Sequence, residues 1–101
     1  MAKIYLLQVG DYFKIGYTKN SVEKRVKQLQ TGSPDKITIC EVFETKHGMK
    51  VERTLHSIFS HKRTNGEFFY LDVKDKINFV QICGKIEKGL DAIQNSFFDI
   101  I

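Results

Sequence analysis

A single proline, Pro34, stands in the 101 residues, and no low-complexity run accompanies it. The chain therefore lacks the composition of a disordered linker. No stretch approaches the ~20 consecutive apolar residues that span a bilayer. The N-terminal residues also lack the basic-then-apolar pattern of a secretory signal, since Lys3 is followed only by Ile4-Tyr5-Leu6-Leu7. Cysteine is nearly as scarce. Cys40 and Cys83 lie far apart with no CxxC, which points to free thiols in a reducing cytosol. The expectation is a cytoplasmic protein with no membrane partner. His47, His56 and His61 have no spacing typical of a structural zinc site.

What is present suits one domain. Residues are 42% hydrophobic and 28% charged, as in ordinary globular proteins. A chain of this size forms one core, burying roughly 60–70% of its unfolded surface. The formal charge is +4 and the pI about 9.1, which fits a polyanionic partner.

Residues 3–9 and 12–17 read as two strands, with Gly10-Asp11 as a two-residue hairpin turn. Asn20 can cap a helix, with Glu23 three residues on. Val22, Val26 and Leu29 share one helical face, and Gly32 and Pro34 end it. Residues 36–44 read as a third strand. A second helix is expected through "MKVERTLHSIFSHKR", with Val51, Leu55 and Ile58 on one face. Asn65-Gly66 makes a turn, "EFFYL" an extended edge, and Asp72 a cap. Phe79, Cys83, Ile86, Leu90, Ile93 and Phe97 alternate spacings of four and three, a heptad-like stripe. Gly84 and Gly89 weaken that tail, so it bends or divides. The expected fold is α+β: a small three-stranded antiparallel sheet flanked by helices, with a C-terminal helical tail. We expect a core over 1–72 and an extension over 73–101 packed on it, with a monomer preferred to a homodimer through the tail.

Several polar residues border the apolar faces. Arg25 sits beside the stripe of the first helix. Glu52 lies about 100° round from Val51, half buried, with His56 one turn on. A carboxylate there needs a partner, and an ordinary ion pair is the plain alternative to a functional one. Tyrosine and lysine on a hairpin, arginine on one helix and glutamate on the next make a coherent set for phosphodiester hydrolysis. A lone carboxylate can hold a hard divalent cation that keeps most of its waters. Arginine can grip a phosphate oxygen, and a tyrosine of lowered pKa can relay a proton.

These residues also carry a resemblance. Lys3-Ile4-Tyr5, Lys14-Ile15-Gly16, the run from Tyr17-Thr18 through Arg25 to "QLQTGSP", Glu52 with His56, and "GEFFYL" at 66–71 follow one another in order. Over residues 3 to about 72 the chain resembles the GIY-YIG endonuclease superfamily, in its compact phage- and virus-associated branch. Lys3 stands where that pattern has glycine, and Lys14 where it has tyrosine. The resemblance implies that Tyr5 activates the attacking water, Arg25 clamps phosphate and Glu52 binds a single Mg2+ or Mn2+. It also implies that Gly16 leaves room for its neighbours. Lys14 either replaces the tyrosine hydroxyl or touches the DNA backbone, and Tyr17 is a second source of that hydroxyl. His56 is a neighbour of the metal or a DNA contact, with a packed histidine as the alternative. Glu67 hydrogen-bonds near the site or merely begins a turn. Lys19, Lys24, Lys27, Lys62 and Arg63 line a DNA groove or are solvated charges. The expected function is a metal-dependent DNA endonuclease or nickase, with RNA still open as substrate. The alternative is a catalytically silent nucleic-acid-binding or protein-interaction module of the same fold.

Overall fold

In the computed structural model, residues 1–100 are described, with side chains through residue 96. The first hairpin joins β1 (Ala2–Val9) to β2 (Tyr12–Thr18). Gly10 takes φ +62° at the turn, the left-handed conformation that a side chain disfavours. Helix α1 (Val22–Gln30) follows. Its cap is Ser21, whose side chain accepts from the backbone N–H of Lys24 at 3.1 Å. Asn20, the expected cap, instead folds its own N–H onto Thr18 Oγ1. Strand β3 (Ile37–Thr45) returns along β1, and Cys40 is the extra residue where the register shifts between Leu6 and Leu7.

Helix α2 (Gly48–Ile58) is shorter than the sequence pattern suggests. A 3₁₀ turn over Ser60–Lys62 ends it, and Lys62 and Arg63 fall outside it. The chain then forms β4 (Arg63–Asn65) and β5 (Phe68–Phe69), turning through Gly66 at φ +56°. The sheet thus has five strands in the order β3-β1-β2-β5-β4, every pairing antiparallel, which corrects the expected three. Strands of two and three residues are too short to show a period-2 pattern. They become strands because the free edge of β2 pairs with Phe68 and Phe69.

Helix α3 (Val73–Ile100) is continuous, so neither Gly84 nor Gly89 divides it. Asp72 Oδ1 accepts from the Asp75 N–H at 2.9 Å, and Asp75 Oδ2 accepts from the Asp72 N–H at 3.1 Å. This reciprocal box fixes the helix start. Lys62 Nζ joins it, bonding both carboxylates. From the apolar stripe, Phe79 and Cys83 are buried and Ile86 and Leu90 pack beside them. Ile93 is 69% exposed, so the packed stripe stops before it. Phe97 lies outside the residues whose side chains are described.

The sheet separates two cores. On one face Ile4, Leu6, Phe13, Ile15 and Phe69 pack with Val51, Leu55 and Phe59 of the α2 segment and with Phe79 and Cys83 of α3. On the other, Tyr5, Leu7 and Ile37 meet only Val22 among fully buried residues, with Val26 and Leu29 beside it. Both cysteines are free, and burial pushes the Cys83 thiol up to about 12. No helix among the described residues is long and apolar enough to cross a membrane.

Candidate functional site

Strand alternation sorts the hairpin residues. Tyr5 faces α1, with Gly16 directly opposite it in register. The tyrosine ring crosses over that glycine. A Cβ on Gly16 would overlap the Tyr5 hydroxyl and lie 2.6 Å from its ring carbon Cζ. Gly16 is therefore required by the close approach of a side chain. Tyr5 is 1% exposed. Burial pushes its phenol above the ordinary value, the Arg25 guanidinium beside it opposes that, and the Glu67 and Glu52 carboxylates add to it. The lowered pKa that would let a tyrosine relay a proton is thus not what these surroundings give Tyr5. A tyrosine hydroxyl is protonated at neutral pH in any case, and desolvation makes this one a still weaker acid.

Arg25 comes from the half-buried side of α1, where its Nη1 also reaches Gln28 Oε1 at 3.3 Å. Glu52 comes from α2, half buried as its place beside Val51 implies. Burial, then the nearby Glu67 carboxylate, raises its pKa, while His56 and the nearby Tyr17 backbone N–H oppose that. Glu67, in the turn before β5, accepts the Ile15 N–H at its main-chain oxygen. Its carboxylate accepts from Lys14 Nζ at 3.0 Å. The Lys14 ammonium also lies 5.0 Å from the Phe68 ring centre, which adds cation–π attraction. Tyr5, Lys14, Gly16, Arg25, Glu52 and Glu67 therefore share one neighbourhood beside the C-terminal half of β2.

One ligand atom each from Glu52, His56 and Glu67 lie within 4.8 Å of one another. His56 is nonetheless committed elsewhere. Its Nε2 is 2.8 Å from the Ile15 carbonyl oxygen, which can only accept, so Nε2 carries the proton. Its Nδ1 then accepts from Arg63 Nη2 at 3.1 Å. Arg63 stacks over the Phe69 ring, and His56 packs on the same ring. His56 is a buttress between helix and strand. The donor set that fits a hard divalent cation is the pair of carboxylates, Glu52 and Glu67.

The remaining predicted residues lie apart. Tyr17 is on the opposite side of β2 from Lys14 and Gly16, and its ring packs against Gly48 at the start of α2. Two open clefts flank the end of β2. One, of about 390 Å³, is lined by Thr18, Asn20, Lys24, Arg25, Lys27 and Gln28. The other, of about 650 Å³, is lined by Tyr17, Lys19, Lys46, His47, Met49 and Lys50, among others. Lys62 is tied to Asp72 and Asp75, so it caps α3 and is not a free groove cation. Sequence reasoning missed Lys46, His47, Met49 and Lys50. These residues lie where α2 begins against the end of β2.

The T5orf172 domain family matches residues 3–84, extending beyond the sheet into α3. A KilA-N domain-containing protein, 315L of Invertebrate iridescent virus 6, is 30% identical over 100 residues. That match takes in 94% of this chain but 43% of the relative, so the chain spans less than half of that protein's length. No solved structure gives a significant match.

Proposed function

The chain belongs to the T5orf172 domain family, and on that premise we propose that it is a nucleic-acid-binding domain with a phosphodiester-hydrolysing centre of GIY-YIG type. The observation that carries this reading is the convergence of Tyr5, Arg25, Glu52, Glu67 and Lys14 around Gly16, whose missing side chain leaves room for the Tyr5 ring. Basic side chains on both sides of the centre supply the attraction to a polyanion.

In this reading Arg25 grips a non-bridging phosphate oxygen. The Tyr5 hydroxyl, protonated at neutral pH, orients the attacking water in line with the scissile bond. Lys14 stabilises charge that develops on the phosphorus oxygens. Glu52 and Glu67 would hold a divalent cation, which when bound polarises the phosphoryl group and stabilises the leaving oxygen. The products are a 5′-phosphate and a 3′-hydroxyl. The packed stripe from Phe79 to Leu90 favours a monomer, because that face of α3 is already covered.

A second reading rests on the Lys14–Glu67 ion pair. It engages both the residue at the motif-tyrosine position and one of the two carboxylates, as expected of a silent binding module. Supercoiled plasmid incubated with protein and Mg2+ or Mn2+ separates the two. Hydrolysis predicts nicking that falls at least ~100-fold in Glu52→Ala, with DNA binding retained. Wild-type binding without nicking in either metal selects the silent module. Nicking that persists in Glu52→Ala removes the metal assignment.

A further inference from the structure

The larger cleft contains none of Tyr5, Arg25 or Glu52, yet it begins beside them, because the Tyr17 backbone N–H lies close enough to Glu52 to favour its ionised form. Its lining combines an aromatic ring, a thioether and cations. Asp91 accepts from His47 Nε2 at 2.7 Å and lies 3.7 Å from Lys46. Lys19 and Lys50 have no carboxylate partner among the described residues, and both are exposed. Gly48 fixes the ring. A Cβ there would lie 2.6 Å from Ala2 Cβ and 3.1 Å from Tyr17 Cδ2, so the ring is seated directly on the start of α2. Met49, half exposed, stands next to it.

We infer that this cleft is a subsite for one unpaired nucleotide adjoining the reacting phosphate, its base against Tyr17 and Met49 and its phosphate on Lys19 and Lys50. The inference rests on the nucleic-acid reading above and names its substrate class: strands with an unpaired nucleotide, as at a flap, bulge or overhang. Three observations favour it over a fully paired duplex. A duplex backbone is held by protruding lysines and has no use for a recessed aromatic ring, because its bases are already stacked. At about 650 Å³ the cleft is in the size range of small-ligand sites and accommodates a nucleotide. A tyrosine edged by lysines is the arrangement by which proteins hold single strands, stacking for the base and cations for the backbone. Tyr17 and Lys19 line this cleft, and Thr18 and Asn20 line the other. A strand crossing the end of β2 can thus occupy both, with the reacting phosphate between them.

The test is fluorescence anisotropy in EDTA at fixed salt, with a labelled DNA hairpin, fully paired or carrying one unpaired nucleotide. Omitting the metal separates binding from hydrolysis. The unpaired probe is expected to bind roughly 5- to 100-fold tighter, the worth of stacking one base on an aromatic side chain. Tyr17→Leu should erase that preference, and Tyr17→Phe should keep it. Lys50→Gln, an exposed change that leaves the fold alone, should weaken the unpaired probe more than the paired one. Equal affinity of the wild type for both probes overturns the subsite while leaving nucleic-acid binding in place. A preference that survives both Tyr17→Leu and Lys50→Gln also overturns it. Binding to neither probe overturns the nucleic-acid reading, and the subsite with it. Preferential binding here, together with no plasmid nicking in Mg2+ or Mn2+, leaves the subsite standing and selects the silent module.

Discussion

The two faces of the sheet are built to different ends. The face toward α2 and α3 is a thick apolar core, in which Ile4, Leu6, Phe13, Ile15 and Phe69 meet residues of both helices. The face toward α1 is thin, and its largest fully buried side chain, Tyr5, carries a hydroxyl. Polar groups such as Arg25, Lys14 and Glu67 gather beside this thin face. The nine-residue helix α1 leaves these groups partly desolvated without burying them completely. On the hydrolytic reading proposed above, most of the polar centre gathers on the thin face, and Glu52 reaches it from α2 on the other. The sharpest way to break this comparison is Phe79→Ala, which removes a fully buried ring from the thick face. The expected loss is about 3–5 kcal/mol in urea-unfolding free energy. A loss below about 1 kcal/mol would mean that α3 does not support the core.

The thin face should respond differently. Gly16 has an ordinary φ, so Gly16→Ala strains nothing but the contact with the Tyr5 ring. Overpacking of this kind costs about 1–3 kcal/mol. It should also slow any turnover, by moving the Tyr5 hydroxyl. In a Tyr5→Leu background the ring tip is gone, and the added cost of Gly16→Ala should nearly vanish. Chemical denaturation of the four proteins of this cycle measures the coupling. An unchanged cost in the Tyr5→Leu background would show that the glycine serves the backbone alone.

Much of this division was legible in the sequence. The set Val22-Val26-Leu29 and the pair Val51-Leu55 mark the inner helix faces, and the neighbour of Val51 is half buried as its angle requires, whereas Ile58, expected on the same face as that pair, is exposed at the end of α2. The Gly10-Asp11 hairpin was legible because only a few residue types take its φ. Two things were not. Strands β4 and β5 arise from pairing with the edge of β2, a tertiary effect that no local pattern encodes. Ion-pair partners were equally hidden. Lys62 caps α3 through carboxylates 10 and 13 residues away, and Lys14 meets Glu67 across 53 residues. A charged residue's neighbours across such distances follow from the fold, so a basic stripe read along the chain mixes groove cations with structural ones.

The smallest expected effect, and the one that ties the two faces together, concerns Glu52. Its folded pKa is raised by burial and by Glu67. Above the ordinary carboxylate value the folded state therefore holds the proton more tightly than the unfolded chain does. Its contribution to stability then falls as pH rises through that window and is lowest once Glu52 is ionised. Glu52→Gln, which cannot ionise, should melt above the wild type near pH 7 in EDTA, with the gap narrowing toward about pH 4. The gain should be smaller than the loss from Gly16→Ala, because Glu52 is only half buried and water screens its charge. If Glu52 and Glu67 take a divalent cation, adding Mg2+ or Mn2+ should raise the wild-type melting temperature and leave Glu52→Gln nearly unmoved. Parallel pH profiles for the two proteins would show that Glu52 is not held ionised against a cost. Equal responses to the metal would place the cation elsewhere. The carboxylate that weakens the folded protein when empty is the one best placed to be stabilised when filled, which is the behaviour expected where a site has been kept at the expense of the core.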